Sequence, residues 1–212
     1  MTANAFLAYM GVVVLITATP GPDTALVLRN AVRHGWSAGV RTGTGSAAGL
    51  LLWGLAASLG IAAVLAASAE VFVIVKLAGA AYLCYLGVRM IWRAIRDRAR
   101  PAIGGDARPE VSTKTLFRQG LITNLLNPKA AAFFTALLPQ FVTAHGVAAT
   151  PVIIGLALIA ATANLTGQCV YAVAAHRTTR LIGRRYFEPI LDGVVGAVLT
   201  ALGCRLMLTS RP

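Results

Sequence analysis

The sequence predicts an all-α integral membrane protein with six transmembrane helices. They form two inverted three-helix repeats, and helices one and four are interrupted. Three observations carry this expectation. Of 212 residues, 57% are hydrophobic and 12% charged, with a mean hydropathy of +0.73; soluble domains carry about 25% charged residues. Apolar stretches near the ~20 residues that span the hydrocarbon core as a helix recur along the chain. The first and fourth of them are interrupted by PGP and NP deep within the run.

The stretches cover residues 5–28, 47–67, 71–91, 120–142, 147–172 and 190–208. No Lys or Arg precedes the first, and Arg29 is the first cation in the chain, so this run reads as a span and not as a cleavable signal. Cys84, Cys169 and Cys204 fall in predicted spans without CxxC spacing, as small apolar filler. His34, His145 and His176 fall in loops or at interfaces without metal-ligand spacing. No metal, cofactor or catalytic residue is expected.

The net charge of +12 raises the possibility of nucleic acid, but its placement opposes it. Arg29, Arg33 and Arg41 fall between spans one and two. Arg89, Arg93, Arg96, Arg98, Arg100, Arg108, Lys114 and Arg118 cluster between spans three and four, and Arg177, Arg180, Arg184 and Arg185 between five and six. The alternate loops hold only Glu70 and His145. Lys and Arg accumulate on cytoplasmic loops, which puts both termini outside and anionic lipid against the basic face. No aromatic interleaving suited to nucleic acid accompanies these arginines.

Residues 96–116 read as a cytoplasmic basic linker between a first repeat, 1–95, and a second, 117–212. Three crossings per half force the halves to enter the membrane in opposite directions, the arrangement of inverted-repeat transporters. Each half opens with an interrupted helix: TPGPD in the first, NLLNPKAAAFF in the second. Proline removes an N–H and pushes the preceding residue out of helical space. Pro20 therefore disfavours helix at Thr19, and Pro22 disfavours it at Gly21. Pro22 and Pro128 suit the first position of a new helix, and Asn127 is a good N-cap. Two helix N-termini facing each other inside the membrane offer unpaired N–H groups and positive dipole ends to an anion.

Asp23 and Lys129 lie beside these breaks, and a charge inside the membrane carries a function or a partner. Asp23 in a first helical turn is favoured by the dipole, and reads as a cap or as a transport group. Lys129 in a first turn is opposed by the dipole and requires a compensating anion, either Asp23 itself or a substrate carboxylate. Asn164 and Gln168, one turn apart, read as cavity-facing or as interhelical hydrogen-bonding groups. Gly39, Gly43, Gly45 and Gly49 read as a packing face, which also permits a homodimer. Asp192 reads as interfacial or paired with Arg184 or Arg185.

At the two breaks the sequence resembles the LysE/RhtB family of bacterial amino-acid exporters. PGPDTALVLRNAVRHGWSAGVRTGTG (residues 20–45) is similar to its first signature, and NPKAAAFFTALLPQF (127–141) to its second. The resemblance implies a multi-pass inner-membrane protein that is not an enzyme. It further implies export of amino acids or close derivatives, with the proton as coupling ion. The positions it carries over are Pro20, Gly21, Pro22, Asp23, Asn127, Pro128 and Lys129; Asn164 joins them from the reading of the residues. Efflux of another small solute or cation is the alternative. An integral-membrane enzyme of lipid metabolism would need a clustered acid/base set, which the sequence does not display.

Overall fold

A computed structural model describes residues 2–60, 69–98, 111–142, 149–182 and 184–208. Helix α1 (Ala3–Ala18) is apolar all round, and only Tyr9 and Val13 are buried. The chain then leaves helical geometry and resumes as α2 (Pro22–His34), bent by 49° from α1. The restart falls on the expected proline. In contrast to α1, nine residues of α2 are buried, including Asp23, Arg29 and Asn30.

A loop carrying Arg29, Arg33 and Arg41 was expected next. Instead, a single residue separates α2 from α3 (Trp36–Ser58). That residue is Gly35, with φ of 92°, a conformation that residues bearing a Cβ rarely adopt. Arg41 lies within α3, which begins eleven residues before the expected span at 47. The cause is composition: 36–46 is rich in Gly, Ser, Thr and Ala, which lowers hydropathy without breaking the helix. A similar shift occurs later, where α7 (Ala149–Ile182) contains Arg177 and α8 begins at Arg184. Hydropathy marks where hydrocarbon ends, and the helices continue past it.

The glycine face of α3 is spent inside the chain. A Cβ on Gly39 would press on Ala31 and Ala172, one on Gly43 would stand 3.0 Å from Gln168, and one on Gly49 would stand 2.7 Å from Asn124 Oδ1. At Gly45 it would overlap the Phe117 carbonyl of α5 (Thr113–Leu125), while Gly120 of α5 meets the Thr42 carbonyl in return. The packing expectation therefore holds, and the face that would permit a homodimer packs in this chain against α5 and α7. A second close crossing joins α4 (Ala69–Arg98) to α8 (Arg184–Leu208), where Gly87 meets Gly196 and Thr200, and Gly203 meets Ala80 and Cys84.

The second broken element follows α5. Asn127 caps a short α6 (Pro128–Ala132), which passes into one π-helical turn (Phe133–Leu137) and one 3₁₀ turn (Leu138–Phe141); the bend is 54°. π-turns inside helices recur at functional sites. Phe133 and Phe134 here enter the main core with Tyr9, Trp53, Leu138 and Leu156. Trp53 stacks on Phe134 with centroids 6.4 Å apart, and Tyr9 Oη donates to the Leu156 carbonyl at 2.5 Å.

Among the described residues, Ala149–Thr179 is long and apolar enough to cross a membrane alone, with a mean hydropathy of 1.7. The two bent pairs, Ala3–Ala18 with Pro22–His34 and Thr113–Leu125 with Lys129–Phe141, each qualify when taken together. Helices α3, α4 and α8 have 23, 30 and 25 residues. At 1.5 Å per residue these exceed the ~30 Å of hydrocarbon, but they do not join the first three on composition among the described residues. Of the expected basic linker, residues 99–110 lie outside the described residues, as does His145.

Candidate functional site

Asp23 lies in the first turn of α2 and is 2% exposed. Its carboxylate accepts from four side chains on three other elements and the second break. Ser46 Oγ of α3 donates to Oδ2 at 2.9 Å, and Asn124 Nδ2 of α5 and Gln168 Nε2 of α7 donate to the same oxygen at 3.4 Å. Asn127 Nδ2 donates to Oδ1 at 3.3 Å. Four neutral donors stabilise a buried carboxylate without cancelling its charge. Among the described residues no cation comes within 4.0 Å of it.

Lys129 therefore makes no direct salt bridge to Asp23. Its Nζ donates to the Ile16 carbonyl at 3.0 Å and the Thr19 carbonyl at 2.8 Å. These belong to the carbonyl end of α1, where last-turn C=O groups lack intrahelical partners and the dipole is negative. In place of an anion, Lys129 meets the partially negative C-terminal end of another half-helix. Tyr171 Oη completes the arrangement by donating to the Ala18 carbonyl at 3.1 Å.

Asn127 links the breaks. Its Oδ1 accepts the Lys129 backbone N–H at 3.0 Å, as an N-cap should, while its Nδ2 reaches Asp23. Asn164 Nδ2 donates to Ser46 Oγ at 3.2 Å, and Gln168 Nε2 reaches Asn164 Oδ1 at 3.5 Å. The two readings of Asn164 and Gln168 are both correct for Asn164, which makes interhelical bonds and lines the cavity. Pro20 is exposed and Pro22 buried, and both act through the backbone they shape. The side chain of Pro128 lies outside the described residues.

Gly21 holds the gap open. A Cβ there would stand 3.2 Å from Asp23 Oδ1 and 3.4 Å from Lys129 Nζ. The acid and the base therefore face the same empty position without bonding to each other. Gly21 has φ of −132°, ordinary extended backbone, so what this position needs is space.

Asp23, Asn124, Asn127, Lys129 and Asn164 line a cavity of about 30 Å³ whose other walls include Leu50 and Phe133. One water needs roughly 10–15 Å³ on this measure, while pockets for small organic ligands run to about 300–1,000 Å³. The space between these side chains is water-sized. A groove of about 730 Å³ runs between α1 and α7, walled by Met10, Val14, Leu158 and Val170, and Thr17 borders both spaces. Among the described residues no three His, Cys, Asp or Glu side chains group as metal ligands.

The sequence missed Ser46, Asn124 and the α1 carbonyls. Asn124 stands in NLLNP three residues before the recognised cap, and Ser46 stands within the glycine run; neither carries a local signal of its role. Asp192, 1% exposed, pairs with Arg29 Nε at 3.3 Å and with Arg33. Both partners lie on α2, whereas Arg184 or Arg185 was expected; the side chains of those two lie outside the described residues.

A family model described as LysE type translocator matches residues 14–210. The chain is 30% identical to the membrane protein YrhP of Bacillus subtilis (strain 168) over 210 residues, covering 97% of this chain and 100% of that one. It is 37% identical to a membrane protein of Vibrio cholerae over 147 residues, 67% of each chain. It is 29% identical to a leucine efflux protein of Enterobacter sp. (strain 638), covering 95% of this chain and 94% of that one. No solved structure matches it significantly. With a match over most of its length, this membrane-embedded chain belongs to the family of LysE-type translocators, which are transporters and not enzymes.

Proposed function

We propose that this translocator exports a zwitterionic amino acid, or a close derivative, from the cytoplasm across the bacterial inner membrane at the expense of the proton-motive force. The observation that carries the reading is the pair Asp23 and Lys129. They carry opposite charges, face one empty position beside Gly21, and are each held by neutral groups rather than by each other. An α-ammonium at Asp23 and an α-carboxylate at Lys129 would complete both. The leucine efflux relatives support the substrate class.

In this reading the two bent pairs open two inverted repeats, 1–95 and 117–212. The 96–116 linker is cytoplasmic against anionic lipid, and both termini are outside. Such a site at the meeting of discontinuous helices is the recurrent design of inverted-repeat transporters. Efflux of a metal cation is disfavoured, because Asp23 is surrounded by N–H and O–H donors. Asp23 binds the ammonium or carries the coupled proton.

The test is counterflow of a labelled amino-acid panel in proteoliposomes containing the purified protein. Saturable exchange of at least one neutral amino acid is expected. Absence of exchange for the whole panel, with another solute exchanged by the same preparation, overturns the reading.

A further inference from the structure

The two oxygens of Asp23 are not equivalent. Among the described residues, Oδ2 accepts from Ser46, Asn124 and Gln168, whereas Oδ1 accepts from Asn127. Oδ1 is also the atom that faces the empty position at Gly21, opposite the Lys129 ammonium.

Counting hydrogens shows what sets this asymmetry. Ser46 Oγ, fully buried, accepts from Asn124 Nδ2 at 3.1 Å and from Asn164 Nδ2 at 3.2 Å. A hydroxyl has two acceptor lone pairs and one hydrogen. With both lone pairs engaged, the hydrogen goes to the remaining neighbour, Asp23 Oδ2, at 2.9 Å. The direction of this bond is therefore dictated by the neighbours. Asn124 Oδ1 and Gln168 Oε1, by contrast, are buried without a donor. Both amides leave an acceptor unsatisfied while their N–H groups point at the carboxylate, an arrangement that serves an ionised Asp23.

We infer that Asp23 offers a single edge to its ligand: Oδ1 is the seat for a hydrogen-bond-donating cation, and Ser46 is the positioning residue that turns this edge to the cavity. The inference rests on the reading of Asp23 as a transport group and deepens it. The cation is the ammonium of the substrate, which would donate N–H to Oδ1, or the coupled proton, which would bond to Oδ1 and neutralise the carboxylate; both need the same accessible oxygen. With Oδ2 surrounded by donors, neither has a place there. Asn164 supports the device at one remove, by holding Ser46.

The experiment uses full-length protein in proteoliposomes, with labelled L-leucine as probe, or the fastest-exchanging amino acid of the panel if leucine is not exchanged. No exchange by the wild type defeats the proposed function itself, separately from the inference. With an active wild type, Ser46→Ala is expected to raise the half-saturation concentration about tenfold, the scale of one lost charge-assisted hydrogen bond. The rate at saturation should stay within about twofold. Ser46→Thr, which keeps the hydroxyl, should restore the wild-type value. If the seat serves the proton, Ser46→Ala leaves half-saturation unchanged and abolishes the stimulation of uptake by a pH gradient in inside-out vesicles.

In both cases the effect must pass through Asp23. On an Asp23→Asn background, Ser46→Ala should change nothing further in the amino-acid-induced shift of the melting midpoint or in pH-gradient stimulation. An equal effect on that background overturns the inference, as does wild-type behaviour of Ser46→Ala in both assays. If the alanine variant fails to insert, Ser46→Cys keeps the side-chain shape, with a larger atom that is a weaker donor. A change in the same direction supports the assignment, and wild-type values overturn it.

Discussion

At the first break the chain leaves α1 at Ala18 and resumes helix at Pro22; at the second it leaves α5 at Leu125 and resumes at Pro128. The first restart has Gly21 as its cap, with no side-chain bond, and carries an acid in its first turn. The second has Asn127 as its cap and carries a base. An acid at a helix start is stabilised by the dipole, but a base is opposed by it. The second break draws on the first: the carbonyl end of α1 accepts two hydrogen bonds from Lys129. The first draws on the second in return, since Asn127 donates to Asp23. Each break leaves groups that the other satisfies, so neither is a self-contained kink.

This mutual dependence can be broken most severely at Lys129. Lys129→Gln removes the charge that caps α1, and hydrogen bonds to charged groups contribute roughly 1.5–3 kcal/mol each. Export should fall at least about a hundredfold, and the melting temperature in detergent should drop. Because no ion pair joins Lys129 to Asp23, the double variant Asp23→Asn/Lys129→Gln should recover neither stability nor counterflow. Recovery would restore the ion-pair reading.

Next comes Pro128→Ala, which lets the second break close into continuous helix by returning an N–H and relieving a ring clash. Normal insertion is expected on fractionation, with counterflow lost; full counterflow would reduce the break to a tolerated bend.

Gly21→Ala asks whether the first break needs freedom or space. With φ of −132° the backbone accepts alanine, but the new Cβ falls 3.2 Å from Asp23 Oδ1. Folding should be unchanged in thermal melts, while half-saturation for counterflow rises about tenfold, equivalent to ~1.4 kcal/mol. A drop in melting temperature without that rise would instead point to backbone strain.

The smallest effect is expected from Tyr171→Phe. It removes one neutral bond to the Ala18 carbonyl, worth about 1 kcal/mol, and should change exchange only a few-fold. A loss as large as that of Lys129→Gln would make Tyr171 an equal partner in closing α1.

The breaks themselves were legible in the sequence, because proline and asparagine act on backbone within a residue or two. Pro22 and Pro128 begin their helices and Asn127 caps, all as expected. The glycine face of α3 was legible as packing for the same reason: small residues at helical spacing permit close approach. What filled that approach was not legible. The donors to Asp23 lie 23, 101, 104 and 145 residues away, and no local pattern announces a partner at such separations. The partner of Lys129 was hidden differently, since it is backbone and any sequence supplies it. Arg41 and Arg177 were placed in loops because charge lowers hydropathy, although it does not end a helix.

The water-sized cavity has a thermodynamic consequence. A space of about 30 Å³ is too small for an amino acid, so the proposed substrate would need a more open form, with which the form described here would compete. If the open form makes up one part in a hundred, apparent affinity is about a hundredfold weaker than the contacts alone supply. The carbonyls of Ile16 and Thr19 hold the same Lys129 ammonium that a substrate carboxylate would seek, which adds to that handicap. Such a translocator would stay idle at low cytoplasmic amino-acid levels and respond when they climb, in the manner of an overflow valve.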